Sequence, residues 1–226
     1  MTSLERDSAS SAPPDQSAPL LDMRGICKAF PGTVALDRVD FAVAPGEIHA
    51  LVGENGAGKS TLIKILAGVH AADAGEILIA GRPRATYAHP PISFIHQDLG
   101  LVGAMTVAEN IAIVAGYPRP RGLISWRGAQ QRAAALLRAI GSDVDPNDRV
   151  ATLSSADQSL VAIARATAVA SDILILDEPT ASLPVADVRR LFATLRTLRA
   201  RGLGIVFVTH RLDEVFQLAD RVTVIR

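Results

Sequence analysis

The chain has 226 residues, 49% of them hydrophobic, and its 23 basic residues balance its 23 acidic ones. This length and composition allow a full core, as one large domain or as one domain with a small subdomain, and zero net charge gives no sign of a strongly basic nucleic-acid surface. A single cysteine, Cys27, excludes an internal disulfide and fits a reducing compartment, and no apolar run approaches the roughly 18 residues that span a membrane.

The first 20 residues are rich in serine, alanine, proline and charge. A segment of this composition buries little surface, so we predict a disordered tail over residues 1–20. It lacks the apolar centre of a signal peptide. The folded part is therefore expected over residues 21–226, in a soluble or peripheral protein.

Short apolar runs alternate with helical patterns after the tail, which indicates an α/β domain with a mostly parallel sheet. Three runs, Ile48–Val52, Ile173–Leu176 and Ile205–Val208, are apolar throughout and are typical of central strands covered on both faces. The predicted strands are Leu21–Cys27, Val39–Val43, Glu47–Val52, Glu76–Ile79, Ile92–His96, Ile173–Asp177, Gly204–Thr209 and Arg221–Ile225. Helices are predicted after Lys59, over Val185–Arg201 and over Leu212–Leu218.

The middle of the chain has helical patterns with no strand pattern between them. They cover Thr106–Ala115, Arg127–Ile140 and Asp157–Ala170, and Ser125 is placed to cap the second. A helical subdomain over about residues 98–170 is the simplest interpretation.

Residues 53–61 read GENGAGKST and match the phosphate-loop pattern G-x-x-x-x-G-K-[ST] between a strand and a helix. The glycines allow backbone N–H groups to wrap phosphates, and the helix N-terminus adds a positive dipole. Lys59 is expected to reach the β- and γ-phosphates, and the Ser60 hydroxyl to ligate Mg²⁺. The predicted nucleotide-binding residues of this loop are Gly53, Asn55, Gly56, Gly58, Lys59, Ser60 and Thr61.

Two adjacent acids, Asp177 and Glu178, end the strand that begins at Ile173. Successive strand residues point to opposite faces, so the two carboxylates can take separate roles. Asp177 is expected to hold Mg²⁺ directly or through water. Glu178 is expected to orient and deprotonate an attacking water as a catalytic base.

Two polar residues follow other predicted strands. His210 comes after Gly204–Thr209, where it can contact a γ-phosphate or the attacking water. Gln97 comes after Ile92–His96, where its amide can sense Mg²⁺ or that water. Each is a weak signal alone, and a structural role is the alternative for both. The other histidines show no metal-ligand spacing and are interpreted as structural or surface residues.

These motifs, in this order, resemble the nucleotide-binding domain of an ABC ATPase over about residues 21–226. The resemblance implies a P-loop NTPase: a RecA-like, mostly parallel sheet core with an antiparallel β edge and an inserted helical subdomain. It makes Gly53–Thr61 the Walker A loop, Gln97 the Q-loop, Leu153–Gln158 the signature, Ile173–Glu178 the Walker B strand and His210 the switch histidine.

Phe30 is similar to the aromatic residue that stacks on adenine in this family, and a core phenylalanine is the alternative. The resemblance also makes Gln97 a catalytic and Mg²⁺-sensing residue beside Ser60 and Asp177. ATP and Mg²⁺ are therefore the implied cofactors, and Lys59, Glu178, His210 and Gln97 the implied catalytic set.

A narrower resemblance is to the first half of monosaccharide-import ATPases of the ribose, galactose, xylose and arabinose type. It rests on KAFPGTVAL at Lys28–Leu36, VGENGAGKSTLIKILAGVH at Val52–His70 and IHQDLGLVGAMTVAENI at Ile95–Ile111. Those proteins carry two ATPase domains in tandem, so a second domain is expected after Arg226. The alternative is a single-domain protein that dimerises with itself.

The resemblance also implies partners. Two ATPase domains would enclose two ATP molecules, each between one Walker loop and the other domain's signature. The segment after Gln97 would dock on a membrane permease at the cytoplasmic face, and ATP-driven closure would power sugar import. A periplasmic or extracellular sugar-binding protein would act indirectly, and no nucleic acid is expected.

The signature departs from the family pattern Leu-Ser-Gly-Gly-Gln. Ser155 and Ala156 replace the glycines and Asp157 replaces the glutamine, while ASLP at residues 181–184 places Pro184 where an acid is common. Ser154 and the Ala156 N–H would contact the partner's ATP, and we expect the Ala156 methyl group to hinder that approach. The hypothesis is an asymmetric pair, with one competent site and one weak site.

Two other interpretations remain. One is a soluble ABC ATPase of translation or DNA repair, although the segment between Lys59 and Asp177 is too short for the long coiled coil of the repair proteins. The other is a regulatory module that binds ATP with little turnover. The weakened signature favours such a module, and intact Glu178 and His210 oppose it.

Overall fold

The computed structural model describes residues 18–181 and 183–226, so most of the tail predicted over residues 1–20 lies outside the described part. The described residues form two sheets and six α-helices. The strands are β1 (Leu21–Phe30), β2 (Thr33–Val43), β3 (Ile48–Val52), β4 (Ala74–Ile79), β5 (Arg82–Pro83), β6 (Ile92–Ile95), β7 (Ile173–Asp177), β8 (Gly204–Val208) and β9 (Arg221–Val224). The helices are α1 (Lys59–Leu66), α2 (Val107–Ala115), α3 (Trp126–Ala139), α4 (Ser155–Thr167), α5 (Val185–Arg199) and α6 (Leu212–Leu218).

The larger sheet has five strands in the order β6-β7-β8-β3-β9, and every neighbouring pair is parallel. Strands β3 and β8 are buried along their whole length, and β7 is buried up to Asp177. This confirms the three apolar runs as central strands. Because the strands are parallel, the loops after β3, β6, β7 and β8 meet at one edge of the sheet.

The smaller sheet is antiparallel, in the order β2-β1-β4-β5. Leu21, Met23 and Ile26 of β1 are buried in a second core cluster. Strands β1 and β2 extend further than predicted, since their pairing continues to Phe30 and Thr33. The prediction was short because residues at this end of the hairpin are mostly exposed, which removes the hydrophobic pattern while the backbone pairing persists.

Helices α2, α3 and α4 follow one another with no strand between them among the described residues. They pack on each other through a core that includes Val107, Ile111, Leu137 and Leu160. The Ser125 side chain accepts a hydrogen bond from Gly128 N at 3.1 Å, which confirms the predicted cap of α3.

Several predicted helices have different limits in the structure. Helix α2 begins one residue later than predicted, and α3 begins and ends one residue earlier. Helix α4 begins at Ser155 and ends at Thr167, two residues before the predicted start and three before the predicted end. Helix α5 ends at Arg199 rather than Arg201. Within the described ranges, no helix combines the length and the apolar character needed to cross a membrane.

Candidate functional site

The loop of residues 53–58 joins β3 to α1, and two of its glycines lie against other backbone. A Cβ placed on Gly53 would lie 2.3 Å from the Ile225 carbonyl oxygen, and one on Gly58 would lie 2.4 Å from the Ala35 carbonyl oxygen. Gly58 also has a φ of 101°, in the region that favours glycine. These contacts fix the loop between β2 and the residue that follows β9.

Lys59 begins α1 and is only 7% exposed. Its Nζ donates hydrogen bonds to the carbonyl oxygens of Gly53 at 2.7 Å and of Glu54 at 3.0 Å. Both acceptors are neutral, and a charged phosphate oxygen makes a stronger hydrogen bond with an ammonium group. The loop therefore holds the Lys59 ammonium group where it can bind an anion.

A cleft of about 280 Å³ brings together the loop and the ends of two parallel strands. Its lining contains backbone and side chains from three separate segments of the sequence. The lining residues are Asn55, Gly56, Gly58, Lys59, Ser60, Thr61, Gln97, Asp177 and Glu178. Except for Gly53, Phe30, His210 and the two signature residues, the structure thus places every predicted site residue around one cavity.

A second cleft of about 300 Å³ shares Gln97 and Glu178 with the first and extends to the start of α4 at Ser155 and Gln158. Its other wall is formed by the segment after Gln97, which includes Leu99 and Leu101. Gln97 and Glu178 therefore lie between the phosphate loop and the signature helix.

Asp177 lies at the end of β7, where burial raises the pKa of its carboxyl group and the neighbouring Glu178 charge raises it further. A carboxyl whose pKa is higher in the folded chain than in the unfolded one destabilises the folded state when it ionises. At neutral pH the ionised Asp177 is thus held at a cost to stability, as is common for groups kept for binding.

We predict that Asp177→Asn raises the melting temperature of the ligand-free chain at neutral pH and weakens Mg-ATP binding by at least about tenfold. The stability gain should shrink as the pH falls through the raised pKa, because the wild-type carboxyl then becomes neutral as well. Thermal denaturation with and without Mg-ATP measures both effects. Asp172→Asn, an exposed aspartate just before the same strand, is the control, and an equal gain there would contradict the prediction.

Glu178 follows Asp177 in a left-handed backbone conformation, with a φ of 49°. This conformation is uncommon for a residue with a Cβ and often accompanies functional sites. Glu178 N donates to the Val208 carbonyl oxygen at 3.0 Å, and Glu178 Oε1 lies 3.0 Å from His210 Nδ1. The structure therefore pairs the two residues that the sequence placed after separate strands.

Phe30 lies at the end of β1 and is 38% exposed, so the alternative that it is a core phenylalanine is wrong. The His70 ring meets it edge-on with centroids 5.4 Å apart, and Lys28 Nζ lies 5.6 Å from the ring centre. Phe30 pairs with Thr33, two residues before the Ala35 carbonyl that abuts Gly58. The exposed ring thus belongs to the hairpin that borders the phosphate loop.

The signature residues lie at the start of α4. Ala156 is 4% exposed and lines a small cavity with Leu160, Leu183 and Leu191. The methyl group is thus packed between α4 and α5, and whether it hinders the approach of the partner's phosphate stays a prediction. A role for the Ala156 backbone N–H stays a prediction.

Ser154 is engaged within its own helix. Its Oγ accepts from Asp157 N at 3.1 Å and donates to Asp157 Oδ2 at 2.7 Å. Asp157 Oδ1 in turn accepts from Arg190 Nη1 of α5 at 2.6 Å. The resemblance assigns the Ser154 hydroxyl to the partner's phosphate, but here that hydroxyl is hydrogen-bonded to the carboxylate of Asp157, which replaces the family's glutamine.

Two further positions lie outside the lining of both clefts. Pro184 directly precedes α5 with a φ of −60°, the value to which its ring restricts it, while Ser182 lies outside the described residues. Glu214 on α6 is 1% exposed and was not predicted as part of the site. The signal available in the sequence was an acid four residues after His210, followed by the apolar Val215.

The profile of the ABC transporter family matches residues 36–181 of the chain. The chain is 51% identical over 214 residues to the ribose import ATP-binding protein RbsA 1 of Rubrobacter xylanophilus, a match that covers 92% of this chain and 42% of that protein. It is 47% identical over 226 residues to the putative ribose/galactose/methyl galactoside import ATP-binding protein 2 of Burkholderia lata, with coverage of 96% and 42%. The chain spans less than half the length of these curated relatives.

Solved structures show the same architecture. The chain superposes on cbiO1 from Clostridium perfringens, described as part of the ABC transporter complex cbiONQ, with a TM-score of 0.81 at 26% identity, covering 92% of this chain and 85% of that one. It superposes on the dimeric structure of the bacterial ABC transporter cassette MJ0796 with a TM-score of 0.75 at 25% identity, covering 91% and 94%. The predicted P-loop NTPase fold, with its mostly parallel core and antiparallel β edge, is confirmed.

Proposed function

The chain belongs to the ABC transporter family, and from that premise we propose that it binds Mg-ATP and hydrolyses it to power import of a monosaccharide. The observation that carries the proposal is the single cleft lined by Lys59, Gln97, Asp177 and Glu178. The names of the 51% and 47% identical relatives, which are sugar-import ATP-binding proteins, support the transport role.

The phosphates of ATP fit the loop before α1. Residues 55, 56 and 58–61 line the cleft at the N-terminal, positive end of α1, and Lys59 supplies a buried positive charge. Phe30 would stack on the adenine from the bordering hairpin. Thr61 and Asn55 line the same cleft and would contact the phosphates or their counter-ion.

The residues of the cleft also fit Mg²⁺. The Ser60 hydroxyl, the Asp177 carboxylate and the Gln97 amide all present oxygen atoms to it, and oxygen ligands are those that this ion prefers. When bound there, the ion would neutralise charge on the phosphates. Burial and the Glu178 charge raise the pKa of Asp177, and a bound cation would offset both by stabilising the ionised carboxylate.

For hydrolysis, the Glu178 carboxylate would accept the proton of a water placed beside the γ-phosphate. His210, 3.0 Å from Glu178, would hold that carboxylate and contact the γ-phosphate. Both side chains are partly exposed, which leaves room for a partner surface. The partner would be a second ATPase domain whose signature completes the site, in keeping with the dimeric cassette to which the chain is similar.

The two sites of such a pair would differ. This chain's Walker residues line one cleft, as a competent site requires. In its signature, by contrast, the Ser154 hydroxyl is already hydrogen-bonded to Asp157. We therefore keep the asymmetric arrangement: the site with this chain's Walker loop is competent, and the site that uses this chain's signature is weak.

We predict that the chain alone binds Mg-ATP stoichiometrically but hydrolyses it slowly, with a specific rate that increases with protein concentration. A second domain must complete the γ-phosphate site, and at low concentration few chains are paired. Calorimetry measures the binding, and phosphate release over a hundredfold range of protein concentration measures the rate. Fast hydrolysis independent of concentration would contradict the pairing.

The transport role is tested by what the chain associates with. We propose that it binds a permease at the cytoplasmic face of the membrane, with a sugar-binding protein acting only through that permease. Co-purification of the tagged protein from its own cells should yield membrane permease subunits. Co-purification with ribosomes would favour a soluble ABC ATPase of translation instead.

A further inference from the structure

Glu214 is a buried acid outside the cleft. It lies on α6 and is 1% exposed, although burial of a carboxylate is costly unless its oxygen atoms find partners. Its Oε2 accepts hydrogen bonds from Thr180 Oγ1 at 2.8 Å and from Thr209 Oγ1 at 3.0 Å. Both threonines are themselves only 2% exposed.

Each of these threonines lies within two residues, along the chain, of a side chain that takes part in the proposed reaction. Thr180 is two residues after Glu178, in the turn that leaves β7, and Thr209 directly precedes His210 after β8. One carboxylate oxygen thus ties together the loops that carry the two reacting side chains.

Arg211 balances the charge of Glu214. Its Nη1 lies 2.8 Å from Glu214 Oε1 in an ion pair that lacks hydrogen-bond geometry. The Arg211 backbone N–H also donates to Thr209 Oγ1 at 3.1 Å, so this hydroxyl both donates and accepts. The polar atoms of this network thus find their partners within the protein, with Glu214 Oε1 in the ion pair, so no bound ligand is needed to satisfy them.

The ion pair between Glu178 and His210 is too weak by itself to fix the relative positions of the two side chains. Their side chains are 27% and 53% exposed, and exposed ion pairs contribute little because water screens them. Glu178 also has the uncommon φ of 49°, which surrounding contacts must maintain. A buried network in which Glu214 Oε2 accepts two hydrogen bonds and Oε1 lies beside Arg211 holds its geometry better than such a surface pair.

We propose that Glu214 is a positioning residue, which fixes Glu178 and His210 relative to each other through the hydroxyl groups of Thr180 and Thr209. The role rests on the proposed ATPase function, because it acts only through Glu178 and His210. It places in the site a residue that touches neither the nucleotide nor the reacting water.

The test compares threonine replacements that keep or remove the hydroxyl. Thr180→Val and Thr209→Val keep a similar shape but remove the hydrogen bond to Glu214, and Thr209→Val also removes the one from Arg211 N. We expect kcat to fall about tenfold with the Kd of Mg-ATP unchanged. Thr209→Ser retains the hydroxyl and should keep most of kcat. Glu214→Gln should lower kcat as well, and its effect should not add to that of Thr209→Val because both break the same network.

The matched control is Thr194→Val on α5. Thr194 is 4% exposed and donates to the Ile140 carbonyl oxygen at 3.1 Å, in a part of the core away from the cleft. It should leave kcat unchanged, although it also removes a buried hydrogen bond. An equal loss of kcat in Thr194→Val would overturn the positioning role, as would an equal loss in Thr209→Ser and Thr209→Val.

Two further outcomes are decisive. Unchanged kcat in Thr209→Val and Glu214→Gln would overturn the positioning role while leaving the ATPase function in place. Loss of Mg-ATP binding together with kcat would also overturn it, because the phosphate loop should stay intact. Normal hydrolysis by Glu178→Gln, or normal Mg-ATP binding by Lys59→Ala, would instead overturn the proposed function on which the role depends.

Discussion

Replacing Glu178 with glutamine is expected to lower the rate of ATP hydrolysis by at least about 100-fold while Mg-ATP still binds. Glutamine has the size of glutamate and can keep a hydrogen bond to His210, but it cannot accept a proton at neutral pH. General-base catalysis by one side chain contributes about 10²- to 10⁴-fold. Because Lys59, Ser60 and the loop glycines are unchanged, the phosphate contacts remain.

The measurement is a single-turnover assay at the highest protein concentration, with the Kd of Mg-ATP determined in parallel. Glu76→Gln is the control, since it makes the same chemical change at an exposed position of β4. A hydrolysis rate within about threefold of wild type in Glu178→Gln would show that another group takes the proton. A large loss of Mg-ATP binding would instead mean that Glu178 stabilises the bound nucleotide before the reaction.

The part of the site predicted from sequence is the part formed at the ends of parallel strands. The loop before Lys59, Gln97, the acid pair and His210 each begin at, or within two residues of, the end of a parallel strand. The carboxyl ends of parallel strands lie at the same edge of the sheet. Local pattern and sheet topology together were therefore sufficient to predict their proximity. The 3.0 Å contact between Glu178 and His210 is the clearest instance.

The features that sequence reasoning missed depend on contacts between distant segments. Whether the Ala156 methyl group faces a partner or the core depends on how α4 packs on α5, which is not encoded in the signature itself. Asp157 contacts Arg190, 33 positions away, and Glu214 contacts Thr180, 34 positions away, as well as Thr209 in the loop before its own helix. Spacing within one segment does not reveal such pairings.

Two glycines of the phosphate loop differ in what the structure requires of them. The motif G-x-x-x-x-G-K-[ST] specifies glycine at position 58 and any residue at position 56. Gly56 has a φ of 86° with nothing within 4 Å of an added Cβ. Gly58 has a φ of 101°, and an added Cβ would lie 2.4 Å from the Ala35 carbonyl oxygen and 2.8 Å from Leu36 Cδ2. An alanine at position 56 would therefore meet only backbone strain, whereas an alanine at position 58 would meet that strain and also a steric clash with β2.

We predict that Gly58→Ala destabilises the chain by about 2 to 5 kcal/mol, from the left-handed conformation together with overpacking. Gly56→Ala should cost only about 1 to 2 kcal/mol, from the conformation alone. Urea denaturation gives both free energies of unfolding, and Mg-ATP binding should weaken at least about tenfold in Gly58→Ala because Lys59 must move with its neighbour. Equal destabilisation by the two variants would mean that β2 retreats without cost, so that the contact between β2 and the loop does not fix the position of Lys59.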